Sequence, residues 1–304
     1  MKSRPPRPAP GGERRPANDL NDLTGREWIK LTRSWFVCDS PRYHANRDTE
    51  LHPARFPEEM VADFLRFFTK QGGWVLDPFA GSGATLVACH EQGRQGVGIE
   101  LSGRYVAVMR RRLVALGAAG QLALQGDAAA CASPALWREH REALVARGLP
   151  FRRAQPCFDF VITSPPYWSM LHTSRGGVYS KHRQRADQGL DTRYSDDPRD
   201  LGNIADYGQF VRAVAAALLQ AARLLQPGKY LVVVAQSLRA PDGIVRPLAW
   251  DLARRLSRRL LFQGERIWCQ NTKPLGIWGY PRLFVPNYHH HYCLIFRRPP
   301  PPPP

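Results

Sequence analysis

Short apolar runs alternate with helical patterns along most of this chain, and this alternation constrains the fold more than any other feature. Seven runs are typical of strands: Trp74–Asp77, Gly96–Glu100, Leu122–Gln125, Phe158–Thr163, Lys229–Ala235, Leu261–Trp268 and His291–Arg297. Helical patterns cover Pro57–Thr69, Ala84–Gln92, Ser102–Leu116, Pro134–Arg147, Ala205–Leu225 and Pro247–Leu260. Strands that are separated by helices usually pair in parallel. We therefore expect an α/β fold with a seven-stranded, mostly parallel sheet and helices on both faces.

Other segments fit neither pattern. Residues 1–18 are basic and rich in proline, which predicts a disordered tail, and residues 299–304 are a polyproline end. The folded domain is expected over residues 19–298. Within it, residues 169–204 and 269–290 are irregular and rich in Gly, Pro and aromatic residues, and loops this long usually carry function.

The charge balance indicates a polyanionic partner. The chain has 43 Lys and Arg against 26 Asp and Glu, a formal net charge of +17, and such a surface attracts nucleic acid. Six scattered cysteines without a C-x-x-C pair argue against a disulfide framework or a zinc ribbon. No apolar run is long enough to cross a membrane, and the first residues lack a signal peptide. A cytoplasmic protein is expected.

The segment Trp74–Thr85 contains a buried strand that ends in Asp77, followed by a glycine-rich turn that opens a helix. Gly81 and Gly83 allow the backbone to approach a ligand closely. A dinucleotide fingerprint requires a third glycine where this chain has Leu86. The turn instead suits a nucleoside that carries an amino acid, with Asp77 placed to meet its ammonium group.

Two further acids follow the next two strands. Glu100 comes 23 residues after Asp77 and is placed to accept both ribose hydroxyls, while Asp127 could accept from an adenine amino group. Carboxyl ends of neighbouring parallel strands line one crevice, where open α/β sheets bind ligands. Each acid could instead cap a helix or a turn.

The fourth predicted strand leads into Ser164, Pro165, Pro166, Tyr167 and Trp168. The two prolines restrict the backbone and remove two donors, so the carbonyls and the Ser164 hydroxyl form a rigid turn rich in acceptors. Such a turn can orient the hydrogens of an exocyclic base amino group, and Tyr167 offers a face on which the base can stack.

The pair DPFAGSG at 77–83 and TSPPYW at 163–168 resembles the DNA amino-methyltransferases, which methylate cytosine N4 or adenine N6. His52, Phe56 and their neighbours in HPARFP resemble that family's additional cofactor motif. The resemblance implies a Rossmann-like, class I methyltransferase fold, S-adenosylmethionine as cofactor and no metal. The cofactor residues that it implies are His52, Phe56, Asp77, Pro78, Phe79, Gly81, Gly83, Glu100 and Asp127. Those that it implies for the target base are Ser164, Pro165, Pro166 and Tyr167.

The same resemblance implies double-stranded DNA with a flipped base as substrate, a restriction endonuclease as a possible partner, and association with the nucleoid. We expect cytosine N4 as the target, because adenine-N6 enzymes more often begin the turn with Asp or Asn than with Ser164. Adenine N6 and an RNA amino group stay open. In this chain the cofactor motif precedes the SPPY motif, the reverse of many cytosine-N4 enzymes, so the place of the recognition segment is not defined.

Three competing interpretations remain, two of which use other residues. Cys157 precedes its strand, so it does not match the Pro-Cys nucleophile of cytosine-C5 enzymes. His289, His291 and Cys293 share one face of an extended strand, as metal ligands could, but the proposed chemistry has no role for a metal. A silent nucleic-acid-binding module is the remaining alternative, and the intact motifs argue against it.

Overall fold

The computed structural model describes residues 18–39, 57–168, 197–240, 242–273 and 275–300. His52, Phe56 and nearly all of the two predicted tails lie outside the described residues, as do residues 169–196 of the first irregular segment. The predicted domain limits therefore stay predictions. Within the described parts of the chain, every helix is too short or too polar to span a membrane.

The helices are α1 (Gly25–Leu31), α2 (Glu58–Phe68), α3 (Ala84–Glu91), α4 (Gly103–Ala115), α5 (Pro134–Trp137), α6 (Arg141–Ala146), α7 (Tyr207–Arg223) and α8 (Leu248–Leu256). The strands are β1 (Trp35–Val37), β2 (Trp74–Asp77), β3 (Gln95–Glu100), β4 (Leu122–Gln125), β5 (Phe151–Arg152), β6 (Gln155–Pro156), β7 (Phe158–Thr163), β8 (Leu225–Ala235), β9 (Leu238–Arg239), β10 (Val245–Arg246), β11 (Leu261–Cys269) and β12 (His290–Arg297).

Eight strands form one sheet in the order β1-β11-β12-β8-β7-β2-β3-β4. Only β12 runs against its neighbours β8 and β11, and every other pair in this sheet is parallel. All seven predicted strands are present, so the mostly parallel sheet is confirmed. The eighth strand, β1, was not predicted; it adds three residues at the edge beside β11.

Helices cover both faces of this sheet, as predicted. Along β7, Phe160 and Ile162 pack with α2 on one face, while Val161 packs with α7 on the other. Helix α7 begins where Asp206 caps it, with its carboxylate accepting from the Gln209 N–H at 2.6 Å. The layers therefore follow from alternating apolar positions in the strands and apolar stripes on the helices.

Two helix predictions need correction. The single helix expected over Pro134–Arg147 is interrupted by a 3₁₀ turn at residues 138–140, next to Trp137, which is fully buried and donates to the Cys131 carbonyl at 2.8 Å. Helix α1 was not predicted. It has a capping box, in which Thr24 and Glu27 satisfy each other's backbone donors.

Candidate active site

The glycine-rich turn connects β2 to α3 at the carboxyl edge of the sheet. Gly81 and Gly83 both have positive φ, 52° and 85°, which other residues rarely adopt. At Gly83, a Cβ atom would lie 2.7 Å from Cγ of Met109. Two features therefore favour glycine in this turn, as predicted: the backbone conformation at both positions and the close approach of α4 at Gly83.

Asp77 ends β2 and is buried, with 1% of its surface exposed. Its Oδ1 accepts from the Thr163 hydroxyl at 2.6 Å and from the Phe79 N–H at 3.1 Å, and its Oδ2 accepts from the Thr85 hydroxyl at 2.5 Å. Burial raises the pKa of this carboxyl to about 6, and these hydrogen bonds oppose the rise. A buried carboxylate that several donors orient is suited to a cationic ligand.

Glu100 ends β3, the strand next to β2. Its Oε2 accepts from the Gly81 N–H at 2.9 Å and its Oε1 from the Ser102 N–H at 2.8 Å. Desolvation raises the pKa of Glu100 to about 7, against these two bonds. The carboxylate is therefore joined directly to the glycine turn, and each oxygen keeps a lone pair for a ligand.

Asp127 follows β4, which lies next to β3. Its Oδ1 accepts from the Ala129 N–H at 2.8 Å and so caps the short 3₁₀ turn at Ala128–Ala130. The capping role that the sequence left open is present. A contact with an adenine amino group stays a prediction, for which the second oxygen has no hydrogen bond among the described residues.

The SPPY turn begins where β7 ends, between β2 and β8. Ser164 donates its hydroxyl hydrogen to the Tyr167 oxygen at 3.0 Å, and the Tyr167 hydroxyl donates to the Val234 carbonyl at 3.3 Å. Burial raises the pKa of Tyr167, so the phenol is neutral. Only 5% of Tyr167 is exposed, so in this structure the side chain anchors the turn, and its stacking on a base stays a prediction.

Trp168 completes the turn in an unusual conformation, with φ at 39°. Its Nε1 donates to the Ile204 carbonyl at 3.0 Å, and its ring packs edge-on against Tyr207 with centroids 5.3 Å apart. Strained backbone that the surroundings hold in place is common at functional sites. The sequence had placed Trp168 only as the second aromatic residue of the motif.

The structure brings the predicted acids and Ser164 together at one edge. β7, β2, β3 and β4 are consecutive in the sheet, and Ser164, Asp77, Glu100 and Asp127 lie at or just after their carboxyl ends. Thr163 and Thr85 were missed, although both bond to Asp77. Thr163 begins the TSPPYW motif and is brought to Asp77 by the pairing of β2 with β7, whereas Thr85 reaches Asp77 from the first turn of α3.

The histidines before and in β12 pack into the protein. The His291 ring stacks on Trp268 with centroids 4.5 Å apart and lies 6.2 Å from the Tyr167 ring. Burial lowers the pKa of His291 to about 3, with help from Lys273 and His290, so the ring is neutral. Among the described residues, no three His, Cys, Asp or Glu side chains form a group that could hold a metal.

Comparison with known proteins identifies the first part of the chain. A family model described as DNA methylase matches residues 16–111, a segment that includes HPARFP and DPFAGSG but not the SPPY turn. The type II methyltransferase M.Cfr9I of Citrobacter freundii is 47% identical over 62 residues, 20% of this chain and 21% of that protein. The putative methylase YubD of Escherichia coli K12 is 38% identical over 86 residues, 28% of this chain and 37% of its own length.

Solved structures with a similar arrangement include TrmN from Thermus thermophilus, with 16% identity, a TM-score of 0.44 and coverage of 79% of this chain and 48% of that one. The putative DNA modification methylase TTHA0409, also from Thermus thermophilus and solved with S-adenosyl-L-methionine, has 25% identity, a TM-score of 0.30 and coverage of 46% and 45%. These scores are low, and the sequence matches cover well under half of the length of the relatives named above. Its DPFAGSG and SPPY motifs and the match over residues 16–111 make the chain similar to the DNA amino-methyltransferase family.

Proposed function

We propose that this protein transfers a methyl group from S-adenosylmethionine to the exocyclic amino group of a base in double-stranded DNA, with cytosine N4 as the target. The observation that carries the proposal is the buried hydrogen bond from Thr163 to Asp77. It joins the strand that leads into the SPPY turn to the strand that leads into the glycine turn. A base on one turn would thus meet a methyl donor on the other.

The cofactor roles follow from the acceptors around the glycine turn. Asp77 offers a buried negative charge for the ammonium group of the methionine part, and Glu100 offers free lone pairs for the ribose hydroxyls. Asp127 is proposed for the adenine amino group. Pro78, Phe79, Gly81 and Gly83 shape the turn, and His52 and Phe56 are proposed for the methionine end. The bound cofactor supplies an electrophilic sulfonium methyl group.

The SPPY turn would position the nucleophile. Because Ser164 directs its hydrogen toward Tyr167, the lone pairs of its oxygen are available to accept from a base amino group. The prolines at 165 and 166 cannot donate, so the turn presents acceptors. Orientation of this kind would turn the nitrogen lone pair toward the methyl group, and positioning alone can supply much of the rate enhancement.

The choice of base depends on Ser164. With its hydrogen on Tyr167 the hydroxyl oxygen can accept from the amino group, and rotation of the hydroxyl would let it donate to the N3 acceptor of cytosine instead. Adenine N6 is the alternative, since its amino group has the same geometry, and an RNA amino group is a second. A flipped base, a restriction endonuclease partner and a nucleoid location belong to the same proposal, because chemistry on a stacked base requires its extrusion.

The test uses purified protein, S-adenosylmethionine labelled in the methyl group, and separate samples of mixed-sequence duplex DNA and RNA. After digestion to nucleosides, label is expected in N4-methylcytosine from the duplex. Ser164→Ala serves as the inactive control, and it should bind cofactor normally. Label in N6-methyladenine alone would overturn the cytosine assignment, label in RNA alone would overturn the substrate, and duplex binding without any transfer would favour a silent binding module.

A further inference from the structure

The loop between β11 and β12, residues 270–289, exposes an unusual amount of apolar surface. A single exposed apolar side chain is common on a protein surface. A cluster of large exposed apolar side chains is not, and it marks an interaction site. Six large apolar residues with exposed side chains lie within ten positions of this loop: Leu275 (77% exposed), Ile277 (87%), Trp278 (42%), Tyr280 (82%), Leu283 (63%) and Phe284 (92%). We call residues 275–284 the apolar tip.

The apolar tip is held in place by its own base. Asn287 Oδ1 accepts from the Gly276 N–H at 2.9 Å and from Trp278 Nε1 at 3.0 Å, while its Nδ2 donates to the Gly276 carbonyl at 2.9 Å. Below this, Lys273 donates to the Tyr288 carbonyl at 2.5 Å and the Gln270 N–H donates to the His289 carbonyl at 2.7 Å. These hydrogen bonds join the two ends of the loop, so the apolar side chains project from a fixed base.

The loop leaves the sheet beside the candidate active site. β11 is antiparallel to β12, which is antiparallel to β8, so β11 ends at the same edge as β7 and β2. Where the loop returns, the His291 ring lies 6.2 Å from Tyr167, and Gln236 donates to the His290 carbonyl at 2.7 Å. A ligand large enough to reach beyond the SPPY turn would meet the apolar tip.

The charges of the loop favour a polyanion over a second copy of the chain. Residues 270–289 contain Lys273 and Arg282 and no Asp or Glu, within a chain of net charge +17. Two copies would repel each other through this surface, whereas a nucleic-acid duplex offers phosphates to the cations and base faces to the apolar side chains. The combination of exposed apolar side chains with Arg282 in the apolar tip and Lys273 at its base fits a duplex whose stacking is interrupted.

We propose that the apolar tip inserts into duplex DNA beside the target base pair and covers the base faces that become exposed when the target base leaves the stack. The inference rests on the proposed function, since only base extrusion opens such a gap. Unstacking costs a few kcal/mol, and apolar side chains in other systems offset such costs by filling the opened step. Tyr280 and Phe284, the most exposed aromatic residues, are the leading contacts.

The test compares the Tyr280→Ala/Phe284→Ala double variant with Val114→Ala. Val114 is equally exposed, at 81%, but lies in the last turn of α4, which leads to the opposite edge of the sheet. The probe is a duplex that the wild-type protein methylates, with 2-aminopurine beside the target base, whose fluorescence rises on unstacking. The double variant should bind this duplex at least roughly tenfold more weakly and give less fluorescence, because one base stack contributes about 1 to 3 kcal/mol. Val114→Ala and the cofactor affinity of both proteins should not change.

A duplex with a mismatch at the target pair opens more easily, so the double variant should regain part of its affinity there. If the double variant matches Val114→Ala in affinity and fluorescence, the inference is wrong. The inference is also wrong if light scattering shows that the two substitutions only dissociate a dimer of the protein, or if they weaken binding to RNA but not to DNA. If the wild type methylates no DNA, the proposed function fails; equilibrium binding to mixed duplex still tests the apolar tip, and equal affinities of the two variants would overturn it.

Discussion

The hydroxyl of Thr163 donates a 2.6 Å hydrogen bond to Oδ1 of Asp77, from the last residue of β7 to the last residue of β2. Both groups are buried, with 0% and 1% of their surfaces exposed. Thr85, in the first turn of α3, holds the other carboxylate oxygen. The Asp77 carboxylate thus connects the two turns that carry the proposed chemistry. Its hydrogen-bond partners influence the charge of the carboxylate and fix the distance between the two turns.

Replacing Thr163 by valine removes this bond while keeping the shape of the side chain. A hydrogen bond to a charged group contributes about 1.5 to 3 kcal/mol, so the free energy of unfolding should fall by that amount and cofactor affinity should fall with it. Urea denaturation and calorimetric titration measure the two. Thr163→Ser keeps the donor and should retain most of both quantities; a valine variant that unfolds and binds cofactor like the wild type would show that the hydroxyl does not matter.

The raised pKa of Asp77 predicts a pH dependence of stability. Its folded value of about 6 lies above the unfolded value of about 3.9, so this group stabilises the fold at low pH and the contribution is lost as the pH rises through 6. The loss amounts to roughly 3 kcal/mol between about pH 4 and pH 7. The difference between wild type and Asp77→Asn in urea denaturation isolates most of this loss, because the carboxyl groups other than Glu100, whose pKa Asp77 helps to raise, titrate alike in both. A difference that is constant with pH would contradict the assignment.

Much of this fold could be predicted because its signals are local. The strands β2, β3, β4 and β7 follow from apolar runs, and the acids at their ends follow from position along the chain. β1 could not be found this way, since Trp35–Val37 is three residues long and forms only against β11, more than 200 residues later. The predicted seven strands therefore became eight.

The candidate site was predictable as motifs but not as contacts. The expected stacking of Tyr167 on a base stays a prediction, and the bond from its hydroxyl to the Val234 carbonyl was not predicted. This contact depends on β8 pairing with β7, which no local pattern encodes. The bond between Asp77 and Thr163 joins residues 86 positions apart for the same reason.

Glu100→Gln should weaken cofactor binding without unfolding the protein. An amide has one acceptor oxygen, so it cannot accept from both Gly81 and Ser102 and also from ribose hydroxyls. The expected loss is about 1.5 to 3 kcal/mol of binding free energy, measured by calorimetric titration with S-adenosylmethionine. Glu91→Gln, at the exposed end of α3, makes the same change in charge and should bind normally. Unchanged affinity in folded Glu100→Gln would remove Glu100 from the cofactor site.

Tyr167→Phe separates anchoring of the SPPY turn from cofactor binding. Without the hydroxyl, the turn loses its bond to Val234 and Ser164 loses its acceptor. Turnover should fall by roughly tenfold or more, since small misplacements of reacting groups are costly, while cofactor affinity stays within a factor of about two. Tyr230→Phe, on β8 but far from the turn, is the matched control. Parallel losses of turnover and cofactor affinity in Tyr167→Phe would show that the two turns cannot be separated.

Arg266 fastens the unpredicted strand β1 to the rest of the sheet. It is 7% exposed, its Nε donates to the Arg33 carbonyl at 3.0 Å, and its guanidinium lies 4.5 Å from the centre of the Phe36 ring. Arg266→Lys keeps the charge but loses the planar group that makes both contacts. The free energy of unfolding should fall by about 1 to 2 kcal/mol, whereas Arg259→Lys, on the surface, should change it by less than about 0.5 kcal/mol. Hydrogen exchange should accelerate at the Cys38 and Ile267 amides, which bond across the β1 and β11 pair, and unchanged exchange there would show that β1 is held by its backbone bonds alone.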